Sequence, residues 1–257
     1  MTREMTRTRC PVHISRPGRG VASAGLRAGD VHTSHSYASR HWVYALGALA
    51  LALLTGCVTA TVQEVREAAT GVNEGDSIVV LGRQNRPHAA ETEIDFIECV
   101  NRRMGRGDQA ILVVDESTFR DALFPWFEPR TAPVNTSDLP ELMAQPALYE
   151  RLQELGLRYL VWIDGSTNRT DASGTMTCSV TTAGAGCFGF LSWENDSSYE
   201  ASVWDVDSGI AVGKVSTDAI GTSYMPAIIV PVPIIARVQN AACTSLARQL
   251  KSFIHNS

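Results

Sequence analysis

Few residues in this 257-residue chain carry groups that could do chemistry. Downstream of residue 57 the only imidazoles are His88, in a polar loop, and His255, third from the C-terminus. Nucleophilic catalysis of the Ser-His-Asp or Cys-His kind needs a base held beside the nucleophile. Neither histidine has a companion motif, and no G-x-S-x-G presents a serine. The sequence therefore predicts no catalytic residue and a protein that is not an enzyme. Carboxylates offer more. Asp115 ends the apolar run 110–114, and Asp164 ends the run 158–163. If both runs are parallel strands, the two acids sit at one carboxyl edge with Arg83 just beyond the first strand. Ligands in open α/β sheets bind at that edge. Asp115 and Asp164 are thus candidate small-ligand residues, although an acid after a strand more often caps the next turn. No phosphate-loop glycine pattern follows a strand. With no C-x-x-C, metal binding is not predicted, and no cofactor is implied.

The most specific signal lies upstream. Trp42 to Leu54 reads WVYALGALALALL and leads into Leu54-Thr55-Gly56-Cys57. An arginine-bearing lead, a short apolar run and small residues at a cleavage point describe an export signal. The run is shorter than the roughly 20 apolar residues of a spanning helix. Leu-Thr-Gly-Cys resembles a bacterial lipobox. That resemblance implies cleavage before Cys57 and diacylation of its thiol. Residues 1–56 then form a signal peptide with an over-long lead and are set aside from the fold. Val58, not Asp, follows the cysteine, which by the same resemblance implies the periplasmic leaflet of a Gram-negative outer membrane. Residues 57–75 are expected as a polar tether with some helix, and 76–257 as one periplasmic domain.

Cys57 to Ser257 holds 15 basic and 25 acidic residues, a formal charge of −10. Nucleic-acid affinity comes largely from Lys and Arg at phosphates, so this balance does not favour it. It suggests no polybasic membrane patch either, and the lipid is the membrane link. Besides Cys57, four cysteines remain in a compartment where disulfides persist. Cys178 and Cys187 flank a hairpin tip and are favoured as one pair, leaving Cys99 with Cys243 by elimination.

The elements follow from periodicity. Apolar runs at 76–81, 110–114 and 158–164 predict short buried strands. Helices are expected from a Thr92 cap to Met104, from a Ser117 cap over a turn ending before Pro125, and over 146–155. Period two then predicts hairpins 175–181 with 187–193 and 199–206 with 210–217, the second turning on Asp207-Ser208-Gly209. Residues 225–235 are apolar but broken by three prolines, which excludes a central strand or a helix. A helix over 238–254 closes the chain, with Cys243, Leu246, Ala247, Leu250 and Ile254 on one face. Strands separated by helices imply a parallel βαβ core. The expected fold class is α/β: a mixed sheet, an antiparallel hairpin extension and a closing helix.

LRYLVWIDGS (157–166), SVWDVDSGIAVGKV (202–215) and the closing helix together resemble the periplasmic lipoprotein domains of the curli-secretion assembly family. They are similar also to the penicillin-binding-protein activator lipoproteins and the amino-terminal domain of TolB. The long Cys-closed hairpin and the proline-rich apolar loop have no counterpart in that resemblance.

Two stretches read as contact surfaces. One is the aromatic segment with Phe124 and Trp126. The other is the apolar loop with Ile229, Val230 and Ile234. The preferred reading is a non-enzymatic binding or adaptor protein that holds another envelope protein. An alternative is a subunit of an oligomeric envelope export assembly. That needs amphipathic spanning strands of about 9–11 residues, and the expected strands are shorter or closed by cysteines. The third reading is a small-ligand binder or enzyme using Asp115 and Asp164.

Overall fold

The computed structural model describes residues 2–9, 58–83, 91–128, 130–133, 136–182 and 184–255. Its centre is one mixed sheet of seven strands: β1 (Thr2–Arg9), β2 (Val58–Arg66), β3 (Ser77–Gly82), β4 (Leu112–Val114), β5 (Leu157–Thr181), β6 (Gly184–Asp205) and β7 (Ile210–Ala227). The strand order is β1-β2-β7-β6-β5-β3-β4. β3 pairs in parallel with β4 and with β5, and every other neighbouring pair is antiparallel. Helices α1 (Ile94–Met104), α2 (Glu116–Ala122), α3 (Leu139–Met143), α4 (Pro146–Glu154) and α5 (Val238–His255) cover the sheet. The α/β class, the parallel βαβ core, the antiparallel extension and the closing helix match the sequence reading.

Strand periodicity makes the layers. Ile78 and Val80 of β3, with Tyr159, Val161 and Ile163 of β5, face a core shared with α1 and α5. Val79 and Leu81, with Leu160 and Trp162, face the opposite core, where Phe119, Leu148 and Leu152 of the shorter helices pack. All six residues of β3 are buried. A strand covered on both faces needs apolar side chains in nearly every position, which explains the run SIVVLG.

Several boundaries differ from expectation. Residues 58–66, expected as tether, form β2, with Val58, Ala60 and Val62 buried. The alternation VTATV is a period-two signal, and packing against β7 makes it a strand. Thr2–Arg9, set aside with the signal, pairs with β2 as an edge strand that cleavage before Cys57 would remove. Residues 10–57, including the lipobox and Cys57, lie outside the described residues. β4 is an edge strand with Leu112 64% exposed, not a buried one. Thr92 does not cap α1; Glu93 holds that position, and the Thr92 hydroxyl donates to the Ile163 carbonyl at 3.1 Å.

The largest difference is strand length. The short strands and hairpins expected from 158 onward are three continuous strands of 25, 22 and 18 residues. Polar residues at 164–175 end the apolar pattern without ending the strand. Backbone pairing between β5 and β6 continues from Tyr159↔Asp205 to Thr181↔Gly184, with one irregularity between Arg169 and Ala172.

Candidate functional site

The carboxylates are placed as caps and partners. Asp115 is the N-cap of α2: its carboxylate accepts from the Ser117 amide at 3.1 Å and from the Ser117 hydroxyl at 2.6 Å. These hydrogen bonds hold its carboxyl below the usual aspartate range. The sequence assigns this cap to Ser117, which serves instead as a donor. Asp164 lies inside β5, not at its end, and pairs with Arg83 at 2.9 Å. Asp115 follows β4 and Asp164 sits on β5, with β3 between those strands. Each acid already has its own partner. His255 Nδ1 contacts the Lys251 carbonyl at 3.0 Å, and His88 lies outside the described residues. Among the described residues no cluster of three His, Cys, Asp or Glu could hold a metal ion.

Both expected disulfides are present. Cys99–Cys243 ties α1 to α5 within the core, and Cys178–Cys187 joins directly opposed positions of β5 and β6.

The aromatic segment divides in two. Phe119 and Phe127 are buried and meet edge to face at 4.8 Å. Phe124 is 62% exposed. The Trp126 indole N–H donates to Gln145 Oε1 at 2.7 Å, and the Arg151 guanidinium lies 5.9 Å from its ring centroid. Most of this segment's aromatic weight is therefore core packing, and only Phe124 faces outward.

The apolar loop belongs to a larger feature. Val58, Gly221, Asn195 and Arg169 lie at one level across β2, β7, β6 and β5. Among the described residues only β5, β6 and β7 continue beyond that level, as a ribbon whose β5 positions are exposed almost throughout. Residues 172–193 contain no charged side chain, and neither do 219–236. Charges resume at the base, with Asp171, Glu194 and Asp218. Trp193 and Tyr224 stand near that boundary, and Arg169 lies 5.0 Å from the Trp193 ring centroid.

The ribbon alternates strictly. Along β5, Ala172, Gly174, Met176, Cys178 and Val180 share one face. Ala185, Cys187, Gly189, Leu191 and Trp193 of β6 lie opposite them on that same face. The other face carries Ser173, Thr175, Thr177, Ser179 and Thr181, with Phe188 and Phe190 opposite. One face is thus wholly apolar or small, and the other mixes hydroxyls with aromatic rings. Phe188 is 74% exposed and Val180 more so.

Loop 228–235 folds back along the ribbon. The Cys187 amide donates to the Ile229 carbonyl at 2.9 Å, and the amide and carbonyl of Ile234 pair with Tyr224. Ile228 is 78% exposed, Ile229 and Val230 nearly as much, while Ile234 is half-buried. The prolines stop a regular strand, yet Met225 and Pro226 still belong to β7 and pair with Leu191 and Phe190 of β6. Sequence reasoning finds the loop and the Cys-closed tip but misses their continuity. Two signals carry it: the absence of charge over 172–193, and the row of five hydroxyls at alternate positions.

At the ribbon's root, Gly165 has φ +143°, and a Cβ there would lie 2.1 Å from the Ser198 carbonyl oxygen. Nearby, Tyr199 stacks on Phe96 at 3.5 Å. Its hydroxyl donates to Glu93 Oε2 at 2.8 Å and contacts the Thr167 hydroxyl at 2.8 Å. Burial pushes the phenol pKa well up.

No protein-family model matches this chain, and no curated protein matches it. Among solved structures it is similar to the PelC dodecamer from Paraburkholderia phytofirmans, in two crystal forms. The first, of a single-substitution variant, has 13% identity and a TM-score of 0.35, covering 79% of this chain and 100% of that one. The second has the same identity and TM-score, with 77% and 99% covered. It is similar also to the hypothetical protein CT253 from Chlamydia trachomatis, at 12% identity and a TM-score of 0.35 over 70% of this chain and 98% of that one. Likenesses of this degree carry no argument about function.

Proposed function

We propose that this is a non-enzymatic, lipid-anchored protein of the Gram-negative outer membrane, acylated at Cys57, whose uncharged ribbon enters the bilayer as part of an oligomeric envelope assembly. The observation that carries this reading is the position of the ribbon. β2 begins at Val58, one residue after Cys57, at the level where the ribbon leaves the domain. Acyl chains on Cys57 would therefore meet the membrane where the charges stop.

The dimensions support it. Residues 172–181 form ten strand positions, within the roughly 9–11 residues of a tilted membrane-spanning strand. Alternation of apolar and hydroxyl side chains suits one face toward lipid and one toward water. Trp193 and Tyr224 at the base suit an interfacial aromatic belt. Several copies follow from the edges. β5 pairs with β3 only up to Ile163, so its remaining edge has no strand beside it among the described residues. Open edges are not tolerated in hydrocarbon, and neighbouring copies would close them. The sequence argues against the export-assembly alternative through strands that are short or closed by cysteines; strands of 25 and 22 residues remove the objection of length, and the Cys178–Cys187 closure remains.

The test places a tryptophan at Val180, on the apolar face, in the acylated protein, reconstituted in vesicles with lipids brominated on the acyl chains. Quenching of the added emission supports insertion, and unquenched, water-shifted emission overturns it. A second reading keeps the adaptor role through loop 228–235, favoured by the exposure of Ile228, Ile229 and Val230. Co-purification of an envelope protein that Ile229→Asp abolishes, without a change in quenching, would select it.

A further inference from the structure

Between α1 and α5 lies a cavity of about 710 Å³, lined by Cys99 and by Arg102, Arg103, Arg106, Arg248 and Lys251, with Asp108 as its one acid. Five of the 15 basic residues after position 56 therefore line one site in a segment of net charge −10. We infer that this cleft binds an anion bearing two phosphate groups.

Among the described residues, Arg102, Arg103, Arg106 and Lys251 take part in no ion pair. Helix dipole explains part of the cluster, since Arg102 and Arg103 occupy the last turn of α1. It does not explain Arg106 in the following loop, nor Lys251 inside α5. Like charges gathered in one cavity repel, and a multivalent anion is the counter-charge that would relieve this.

The site is also built in advance. Cys99–Cys243 ties together the two helices that line it. Lys251, only 9% exposed, donates to the carbonyls of Arg106 and Asp108, so it ties down the loop that carries Arg106. Burial lowers the Lys251 pKa. That loop includes Gly107 at φ +77° and Gln109 at φ +56°, the one non-glycine residue with positive φ among the described residues. Arg103 Nη2 donates to Asn240 Oδ1 at 3.1 Å, which orients its guanidinium across the cleft. Guanidinium forks match phosphate oxygens in pairs, and a phosphate monoester carries about two charges. A cavity of this volume falls within the range of small-molecule sites.

The same chemistry could reach the cleft as a soluble diphosphate or as a phosphorylated lipid headgroup. The test uses the full acylated protein in neutral detergent. Calorimetric titration with inorganic pyrophosphate is expected to show saturable binding that sulfate competes for weakly. Arg102→Ala and Arg106→Ala should each weaken it at least about tenfold, while Arg130→Ala leaves it unchanged. Arg106→Lys should restore part of the loss, and circular dichroism checks that each variant folds. A parallel arm titrates neutral-detergent micelles doped with a bis-phosphorylated lipid against micelles doped with phosphatidylcholine. Arginine-dependent binding in the first arm supports a soluble ligand, and in the second arm alone a headgroup. No binding in either arm, or binding unaffected by Arg102→Ala and Arg106→Ala, overturns the assignment. Neither result bears on the ribbon, because residues 172–193 do not line this cavity.

Discussion

The Cys99–Cys243 bridge is expected to be a large single contributor to global stability. It closes a sequence separation of 144 residues. The chain-entropy relation gives about 5 kcal/mol at 25 °C for a loop of that size. The corresponding figure for Cys178–Cys187, with a separation of 9, is about 2.5 kcal/mol. Position widens the gap. Cys243 is fully buried and joins two helices of the main core. The other bridge sits near the tip of an exposed ribbon, where opening it costs local order only. Typical domains hold roughly 5–15 kcal/mol in total, so loss of the first bridge approaches the whole margin. The assay is urea unfolding followed by tryptophan fluorescence, in a Cys178→Ala/Cys187→Ala background, with the remaining bridge oxidised or reduced. Reduction should lower the midpoint by about 2 M urea. A shift below about 0.4 M would refute the reasoning, because the denatured chain would then be constrained by something other than this link.

Two further outcomes are expected. Tyr199→Phe should cost about 1–2 kcal/mol, because Glu93 and Thr167 lose their shared partner in a part-buried site; thermal melting measures it. The native phenol is held neutral, so its contribution is complete below the unfolded tyrosine pKa and is lost as pH rises through the higher folded value. The melting difference between Tyr199→Phe and wild type should therefore shrink only above about pH 10. Gly165→Ala should destabilise by several kcal/mol, since the added Cβ meets backbone and not a movable side chain; expression with an unchanged melting temperature would refute that account.

Much of the domain is legible in the sequence because its signals are local. The runs IVVL and YLVWI are apolar at every position, and only a doubly covered strand asks for that. The closing helix has a single apolar face, and Asp207-Ser208-Gly209 supplies the positive φ, +68° at Gly209, that its turn needs. Cys178–Cys187 is favoured by the hairpin tip it flanks, and Cys99–Cys243 only by elimination. What stays hidden is continuity. Residues 164–175 are polar because they leave the core, and apolar runs mark cover and not pairing. β2 is hidden for the opposite reason: its Thr and Glu positions interrupt the apolar pattern, and a half-buried strand beside an expected cleavage point resembles a tether. Asp115 reads as a ligand candidate, yet its spacing to Ser117 is that of an N-cap, and the carboxylate takes the role expected of the serine. The cleft between α1 and α5 has no signature in the sequence at all. Its cations come from segments about 140 residues apart that only the fold brings together.

The 25-residue length of β5 has a mechanical consequence. One strand runs from the centre of the hydrophobic core to the ribbon tip, and its pairing with β6 breaks register only between Arg169 and Ala172. There is no loop in which a tilt of the ribbon could be absorbed. A lateral push on Val180 is therefore transmitted as bending of the sheet itself. A pull along the ribbon loads the β5 ladder in shear, with many hydrogen bonds sharing the force at once. The ribbon and the domain share one continuous strand, and whatever fixes the direction of one constrains the attitude of the other.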